Sequence, residues 1–134
     1  MPETTKYVRY EHGGKTAYGI LDGDTIREIA GDLFGARTPT GVAAKLADVK
    51  LRFPVDPPKV LCVGLNYASH IGNRPAPTKP EIFYKPPTAL QDPGGPIVVP
   101  EDSKDLHFEA ELVVVMGKTA RNVKAEAAAA YILG

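Results

Sequence analysis

Alternating apolar and polar residues, interrupted by glycine-containing turns, mark the first part of the chain as β-structure. In KYVRYE, Tyr7 points to one face of a strand and Val8 to the other. A Gly-Gly turn leads into KTAYGIL, and Asp22-Gly23, a type I′ hairpin signal, precedes TIREI. Residues 6–30 are therefore predicted to form a small antiparallel meander.

Two further features follow the meander. In segment 40–48, Val42 and Leu46 lie four residues apart, which predicts a short helix. The segment 54–58, Pro-Val-Asp-Pro-Pro, is a predicted linker because proline cannot donate a hydrogen bond to a strand ladder. The predicted units are a small β-rich N-terminal domain, a linker and a second domain, at 1–53, 54–58 and 59–134.

The second part opens with a continuous apolar run, KVLCVGL at 59–65, which is typical of a buried strand. Three more strands are predicted downstream, the last being the strongest, at 81–85, 97–99 and 106–116. The proline-rich segment 66–80 favours a loop or a single short helix. Residues 125–131 favour a helix, for which Gly134 is a natural terminator. The pattern predicts a mainly β protein with short helices, an α+β fold.

The composition is that of a globular domain with balanced charge. The chain of 134 residues is 43% apolar, and 16 Lys and Arg balance 16 Asp and Glu. This balance argues against a nucleic-acid binder that uses a whole-domain positive field. The sequence shows no signal peptide and no apolar run long enough to cross a membrane, and its single cysteine, Cys62, reads as a small buried residue. These features predict a cytoplasmic protein without nucleic-acid or membrane partners.

A histidine and two glutamates in the last predicted strand could carry chemistry. Because side chains two apart in a strand share a face, His107, Glu109 and Glu111 are expected to point the same way. Buried carboxylates are costly unless compensated, and a hard ion such as Mg²⁺, Mn²⁺ or Ca²⁺ would compensate them. Taken alone, these residues fit slightly better a solvated strand edge with both glutamates facing water.

Polar residues directly after the first apolar strand form a second candidate. The run Asn-Tyr-Ala-Ser-His at 66–70 places His70 on a loop beside a rigid element, where it could act as a general base. Lys85, at the end of EIFYK, could bind a substrate carboxylate. A surface histidine and a solvated edge-strand lysine are the simpler interpretations of each residue by itself.

Taken in order, these segments resemble the fumarylacetoacetate hydrolase family. The resemblance covers about 58–134 and is carried by KVLCVGLNYASH, PEIFYKPPTAL, GGPIVVP, HFEAELVVVMGKTARNV and AAAAYILG. Residues 6–35 look like the small β-rich N-terminal domain that many members carry. NYxxH together with ExE at this separation is far more specific than either motif alone. This combination outweighs the interpretations in which the glutamates, the histidine and the lysine simply face solvent.

The resemblance implies a catalytic domain built as a mixed β-sandwich roll, of which this chain holds the N-terminal portion. Glu109 and Glu111 match the family's ExE ligands for Mg²⁺ or Mn²⁺. His70 matches the histidine that activates a water or moves a proton. Lys85 matches the lysine of the FxKP segment at the pocket wall, in a catalytic and substrate-binding role, and Tyr67 is expected to bind substrate as well.

The resemblance also implies a reaction class. Members act on 2-oxo or β-diketo acids, and they hydrolyse a C–C bond, decarboxylate, or shift a double bond. A metal ion chelated by a 2-oxo carboxylate acts as a Lewis acid and stabilises the enolate that forms as the bond breaks. The implied protein is a metal-dependent enzyme whose partner is a small acid, and the full-length family form is expected to be a homodimer.

Three departures from the family pattern leave alternatives open. Asn73 stands where many small members have a glutamate three residues after the histidine. The family's third carboxylate ligand, an aspartate, follows the ExE strand at a distance, and this sequence ends at Gly134, short of that segment and of the typical length. One alternative is therefore a non-catalytic fragment or subunit that needs a partner chain. Another is a catalytic iron held by His70, His107 and one glutamate.

Overall fold

Residues 4–134 are described by a computed structural model, and the first part of them forms a five-stranded antiparallel sheet. Its strands, in chain order, are β1 Tyr7–His12, β2 Lys15–Asp22, β3 Thr25–Gly31, β4 Arg37–Lys45 and β5 Lys50–Leu51. They lie side by side in the order β4-β3-β2-β1-β5. The predicted meander is confirmed in β1, β2 and β3, and β4 and β5 extend it at its two edges.

The two hairpin turns of the meander differ in type. Between β1 and β2, Gly13 and Gly14 both have positive φ, at 57° and 75°, as a type I′ turn requires. Between β2 and β3, Asp22 pairs with Thr25, so the loop is Gly23 followed by an aspartate. Only Gly23 has positive φ there, at 59°, which is the pattern of a type II′ turn. The predicted hairpin is correct, but its predicted type I′ geometry is wrong, because glycine occupies the first central position.

The core of this sheet is small. Tyr10, Ile26 and Leu33 are its buried apolar residues among those described, with exposures of 1%, 0% and 4%. The Tyr10 hydroxyl donates a hydrogen bond to Glu28 Oε2 at 3.3 Å. Burial and the neighbouring Glu28 carboxylate both raise the pKa of Tyr10, because each disfavours the phenolate. The first unit therefore depends on very few side chains for its packing.

The helix predicted for 40–48 is wrong over most of its length. Residues up to Lys45 belong to β4, and only Leu46–Asp48 form a single 3₁₀ turn. β4 pairs with the edge of β3, with a register shift between Arg27 and Ile29. Backbone pairing with β3 on both sides of the register shift outweighs the weak helical spacing of two apolar residues, and Gly41 at φ 83° further disfavours a helix.

A second, two-stranded sheet follows the linker region. β6, Val60–Gly64, pairs antiparallel with β7, Glu81–Lys85, and the helix α1, Ala68–Ile71, lies on the connection between them. The strand predictions for 59–65 and 81–85 and the short helix predicted within 66–80 are confirmed. The predicted burial of β6 is wrong: Leu61 is 52% exposed, because among residues 4–134 only β7 pairs with this strand.

The strands predicted at 97–99 and 106–116 do not form within the described part of the chain. Neither segment has a ladder partner there, apart from a single antiparallel bridge between Met116 and Ile132. Phe108 is 95% exposed. A strand needs a neighbour to satisfy its backbone groups, and an apolar pattern alone does not supply one. Segment 106–116 was the strongest predicted strand because it is hydrophobic, but hydrophobicity does not provide a strand to pair with.

The C-terminal residues also differ from the prediction. Ala125–Tyr131 is a 3₁₀ helix capped at Ile132, and Gly134 does not terminate it. Instead, the Gly134 carbonyl accepts a hydrogen bond from the Val115 N–H at 2.6 Å. A further 3₁₀ turn spans Pro87–Ala89. None of the helices within residues 4–134 has the length and apolar character that a membrane crossing requires.

Arg52 connects the first sheet with a loop of the second part. Its guanidinium donates to Glu11 Oε2 at 2.6 Å and to Asp92 Oδ2 at 2.5 Å. The Phe53 N–H donates to the other oxygen of Asp92 at 2.8 Å. The Phe53 amide and the Arg52 guanidinium hold the pKa of Asp92 below its ordinary value, because both stabilise the ionised carboxylate. The contact between the two parts of the chain therefore depends on an ionised Asp92.

We expect this contact to weaken in acid. Because the folded-state pKa of Asp92 is lowered, its stabilisation is present above the ordinary value of 3.8 and is lost as pH falls through the folded pKa. Asp92→Asn should therefore unfold at a lower temperature at neutral pH and lose part of the acid dependence. Thermal unfolding followed between about pH 2 and pH 7 measures both effects.

Asp102→Asn is the matched control, since Asp102 is an exposed aspartate. It should unfold with the pH dependence of the parent chain. An Asp92→Asn variant whose melting temperature follows pH as the parent's does would contradict a role for this carboxylate in joining the two parts.

Candidate active site

The loop after β6 places two aromatic rings close together. Leu65 has a φ of 52°, which is uncommon for a residue with a side chain and turns the chain away from the strand. Tyr67 then caps the N-terminus of α1, and the His70 N–H donates to the Tyr67 carbonyl at 2.9 Å. The rings of Tyr67 and His70 lie 6.0 Å apart between centroids. A tight turn and one helical turn thus bring both predicted site residues to the same side.

His70 meets one of the two predicted metal ligands. Its Nδ1 lies 3.5 Å from Glu109 Oε1, and the two side chains are 35% and 56% exposed. A partly exposed imidazole beside a carboxylate is accessible to a small molecule and can exchange protons with it. The structure therefore brings together a residue from α1 and a residue from the distant segment 106–114, which is called the acidic segment below.

Tyr67 makes a second contact with the same acidic segment. Its hydroxyl oxygen accepts a hydrogen bond from the Leu112 N–H at 2.9 Å. A phenol that accepts one hydrogen bond still carries its own proton to donate. Tyr67 therefore remains available to a ligand while it is bound to the backbone of the acidic segment.

Glu111 and Lys85 make no hydrogen bond or ion pair with Tyr67, His70 or Glu109 in the part of the chain that the structure describes. Both are exposed, and Lys85 sits at the end of β7 opposite Val60. Within residues 4–134, no three side chains of His, Cys, Asp or Glu come close enough to bind one metal ion. The segment that carries both glutamates has no ladder partner there, so the shared face predicted for Glu109 and Glu111 is not fixed by a sheet.

The alternative iron site is not assembled in this structure. It required two histidines and one glutamate at a single point, and residues 4–134 contain no such group. His107 instead lies beside Asp105, with Nε2 3.0 Å from Oδ2, and both side chains are highly exposed. His107 thus contacts Asp105, a near neighbour in the chain, instead of meeting His70 at one metal ion.

Arg74 stabilises the end of the helix that carries His70, and it was not among the predicted site residues. Its guanidinium donates to the His70 carbonyl at 2.7 Å and to the Ile71 carbonyl at 3.1 Å. These carbonyls lie at the C-terminal end of α1, where backbone acceptors lack helical partners. A basic residue shortly after a predicted helix is the signal that could have identified it. Asn73, where a glutamate was expected, directly precedes it.

Two protein-family models match this chain. Residues 59–134 match the family model described as fumarylacetoacetate (FAA) hydrolase, C-terminal. Residues 5–54 match the model described as Rv2993c-like, N-terminal. The chain belongs to the fumarylacetoacetate hydrolase family. The predicted family is thereby confirmed, and enzymes of this family generally use divalent metal ions.

Individual relatives include enzymes. The chain is 44% identical to protein Rv2993c of Mycobacterium tuberculosis over 128 residues, which are 88% of this chain and 48% of that protein. It is 46% identical over 77 residues to mitochondrial oxaloacetate tautomerase FAHD1 of Bos taurus, covering 56% of this chain and 35% of that one.

A solved relative shows the same fold. The crystal structure of 2-hydroxyhepta-2,4-diene-1,7-dioate isomerase from Mycobacterium marinum superposes with a TM-score of 0.86 at 36% identity. The match covers 98% of this chain and 52% of the isomerase. The mainly β fold with few short helices is thereby confirmed. The chain spans about half the length of Rv2993c and of the isomerase.

Proposed function

We propose that this chain forms the first part of the catalytic unit of a metal-dependent enzyme that acts on a 2-oxo or β-diketo acid. The observation that carries the proposal is the 3.5 Å approach of His70 Nδ1 to Glu109 Oε1. This approach supports the proposal because an imidazole can move a proton and a carboxylate oxygen suits a hard cation. The same two residues were selected from the sequence for these two roles.

Enol–keto interconversion or a double-bond shift is the favoured reaction, ahead of C–C hydrolysis or decarboxylation. The support comes from the relatives named above, one a tautomerase and one an isomerase. Both names describe reactions in which a proton leaves one atom and returns to another. In this chain His70 would take the proton from the carbon beside the carbonyl and deliver it to the enolate oxygen in keto–enol conversion, or to a different carbon in a double-bond shift, and neither transfer consumes water.

The donors of the acidic segment fit a divalent cation in chemistry but not in number. Glu109 and Glu111 offer carboxylate oxygens, which suit Mg²⁺ or Mn²⁺, and less specifically Ca²⁺. Such an ion would supply Lewis-acid polarisation of the substrate carbonyl. Since no third ligand lies nearby in residues 4–134, water or substrate oxygens would have to complete the coordination. Lys85 is the proposed partner of the substrate carboxylate.

We expect Glu109→Ala and Glu111→Ala each to abolish measurable Mg²⁺ and Mn²⁺ binding, because each removes one of the two proposed carboxylate ligands. Isothermal titration of the pure chain with MgCl₂ and MnCl₂ measures this. His107→Ala is the matched control and should keep most of the affinity, since His107 contacts Asp105 and not the site. Retained Mg²⁺ affinity after either glutamate change, or metal lost with His107→Ala, would refute this ligand assignment.

A non-catalytic fragment or subunit that needs a partner chain is the second candidate. The observation that favours it is the lack of any three-ligand group in residues 4–134, together with exposed apolar segments at 97–99 and 106–116. Turnover of enol-oxaloacetate by the pure 134-residue chain with Mg²⁺ decides between the two. Measurable turnover would eliminate this candidate, and turnover only after a partner chain is added would support it.

Two further assignments accompany the proposal. A homodimer in the full-length form is proposed from the resemblance. A cytoplasmic location stays a prediction, and the bovine relative is named as mitochondrial. The division into units 1–53, 54–58 and 59–134 stays a prediction.

A further inference from the structure

The acidic segment that carries Glu109 lacks the support that a sheet normally provides. Residues 106–114 form no ladder with any described strand. The segment nevertheless approaches α1, because the Leu112 N–H donates to the Tyr67 hydroxyl at 2.9 Å. This bond joins the backbone of the acidic segment to the residue that begins the helix.

Two contacts together define how the segment lies against the helix. Tyr67 caps the N-terminus of α1 and holds Leu112, while His70, in the last turn of α1, faces Glu109 at 3.5 Å. A single contact would leave the segment free to rotate about it. A second contact at a nearby residue removes that freedom and fixes which way the Glu109 carboxylate points.

We infer that Tyr67 is a positioning residue, whose hydroxyl holds the backbone at Leu112 so that Glu109 stays within reach of His70. The inference rests on the proposed function, since it gives Glu109 its use as a metal ligand. It adds to the substrate-binding role expected from the sequence, because the hydroxyl oxygen accepts from the backbone while its own proton remains free to donate. Groups that orient metal ligands in this way typically change metal affinity when they are removed.

The test compares Tyr67→Phe with Tyr84→Phe in the full chain. Both changes remove one phenolic oxygen, but Tyr84 is 73% exposed on β7 and lies outside the group around His70. Two measurements are made on each variant: hydrogen exchange of the Leu112 amide by NMR, and Mn²⁺ affinity by titration. The exchange measurement reports positioning without any metal or substrate.

Tyr67→Phe should exchange the Leu112 amide roughly fivefold faster, because the amide loses its acceptor. It should also bind Mn²⁺ roughly tenfold more weakly. Tyr84→Phe should match the parent in both. A Tyr67→Phe variant with parental exchange at Leu112 would overturn the inference, and so would parental Mn²⁺ affinity in a variant whose exchange has increased.

The two proposals fail in different ways. If the parent chain binds no Mn²⁺, the proposed function loses its metal site, and the exchange at Leu112 alone then decides whether Tyr67 positions the segment. If the parent binds Mn²⁺ through Glu109 and Tyr67→Phe binds it equally well, the proposed function stands and the positioning role does not.

Discussion

Replacing His70 by alanine is expected to slow enol–keto conversion of oxaloacetate roughly 10²–10⁴-fold, the usual contribution of a general acid–base group. The reason is positional: His70 is the imidazole that lies beside Glu109, with Nδ1 3.5 Å from Oε1. Its removal takes away the proton carrier but leaves the carboxylate ligands in place. The rate should therefore fall while Mg²⁺ affinity changes little. Ultraviolet absorbance of the enol follows the rate, and titration follows the metal.

His107→Ala provides the control, because it removes the same side chain from the acidic segment itself. His107 is 79% exposed and contacts Asp105, so its loss should leave the rate near that of the parent. If His70→Ala and His107→Ala lowered the rate equally, the loss would not be specific to His70. The evidence for a specific role of His70 would then be removed. A normal rate in His70→Ala would end the acid–base assignment.

The sequence predicted those elements whose signals are local. The meander, β6, β7 and α1 lie where the alternation, the apolar run and the turn residues placed them. Each strand among them pairs with another described strand, and α1 satisfies its backbone groups within its own turn. The strand predicted at 106–116 failed for the opposite reason: its pattern indicates burial, but burial and pairing depend on a partner that residues 4–134 do not contain.

The candidate site shows the same division between local and distant information. The sequence selected His70 and Glu109 through a family pattern, and the structure brings them to within 3.5 Å. The sequence could not predict the hydrogen bond from the Leu112 N–H to Tyr67, because any backbone amide can donate and nothing in the residue type marks this one. Lys85 and Glu111 make no hydrogen bond or ion pair with the group among the described residues, and the segment that carries Glu111 has no sheet to orient it.

Replacing Ile26 by alanine is expected to cost about 3 kcal/mol of unfolding free energy, in the range for a buried isoleucine truncated to alanine. Ile26 is 0% exposed, and its Cγ2 lies over Gly19, where a Cβ would collide with it. The Tyr10 ring lies beside the same glycine, so a methyl-sized residue at position 26 would leave a gap between ring and strand. Urea unfolding followed by far-ultraviolet circular dichroism measures the loss.

Ile97→Ala makes the same chemical change at a side chain that is 77% exposed, and it should cost no more than about 0.5 kcal/mol. The contrast matters because the first sheet has so few buried residues. A domain of this size has a stability of only about 5 kcal/mol, so Ile26→Ala should leave about 2 kcal/mol and move the unfolding transition to a much lower urea concentration. A loss below about 1 kcal/mol would mean that neighbouring side chains collapse into the gap, and that Tyr10 and Leu33 suffice as a core.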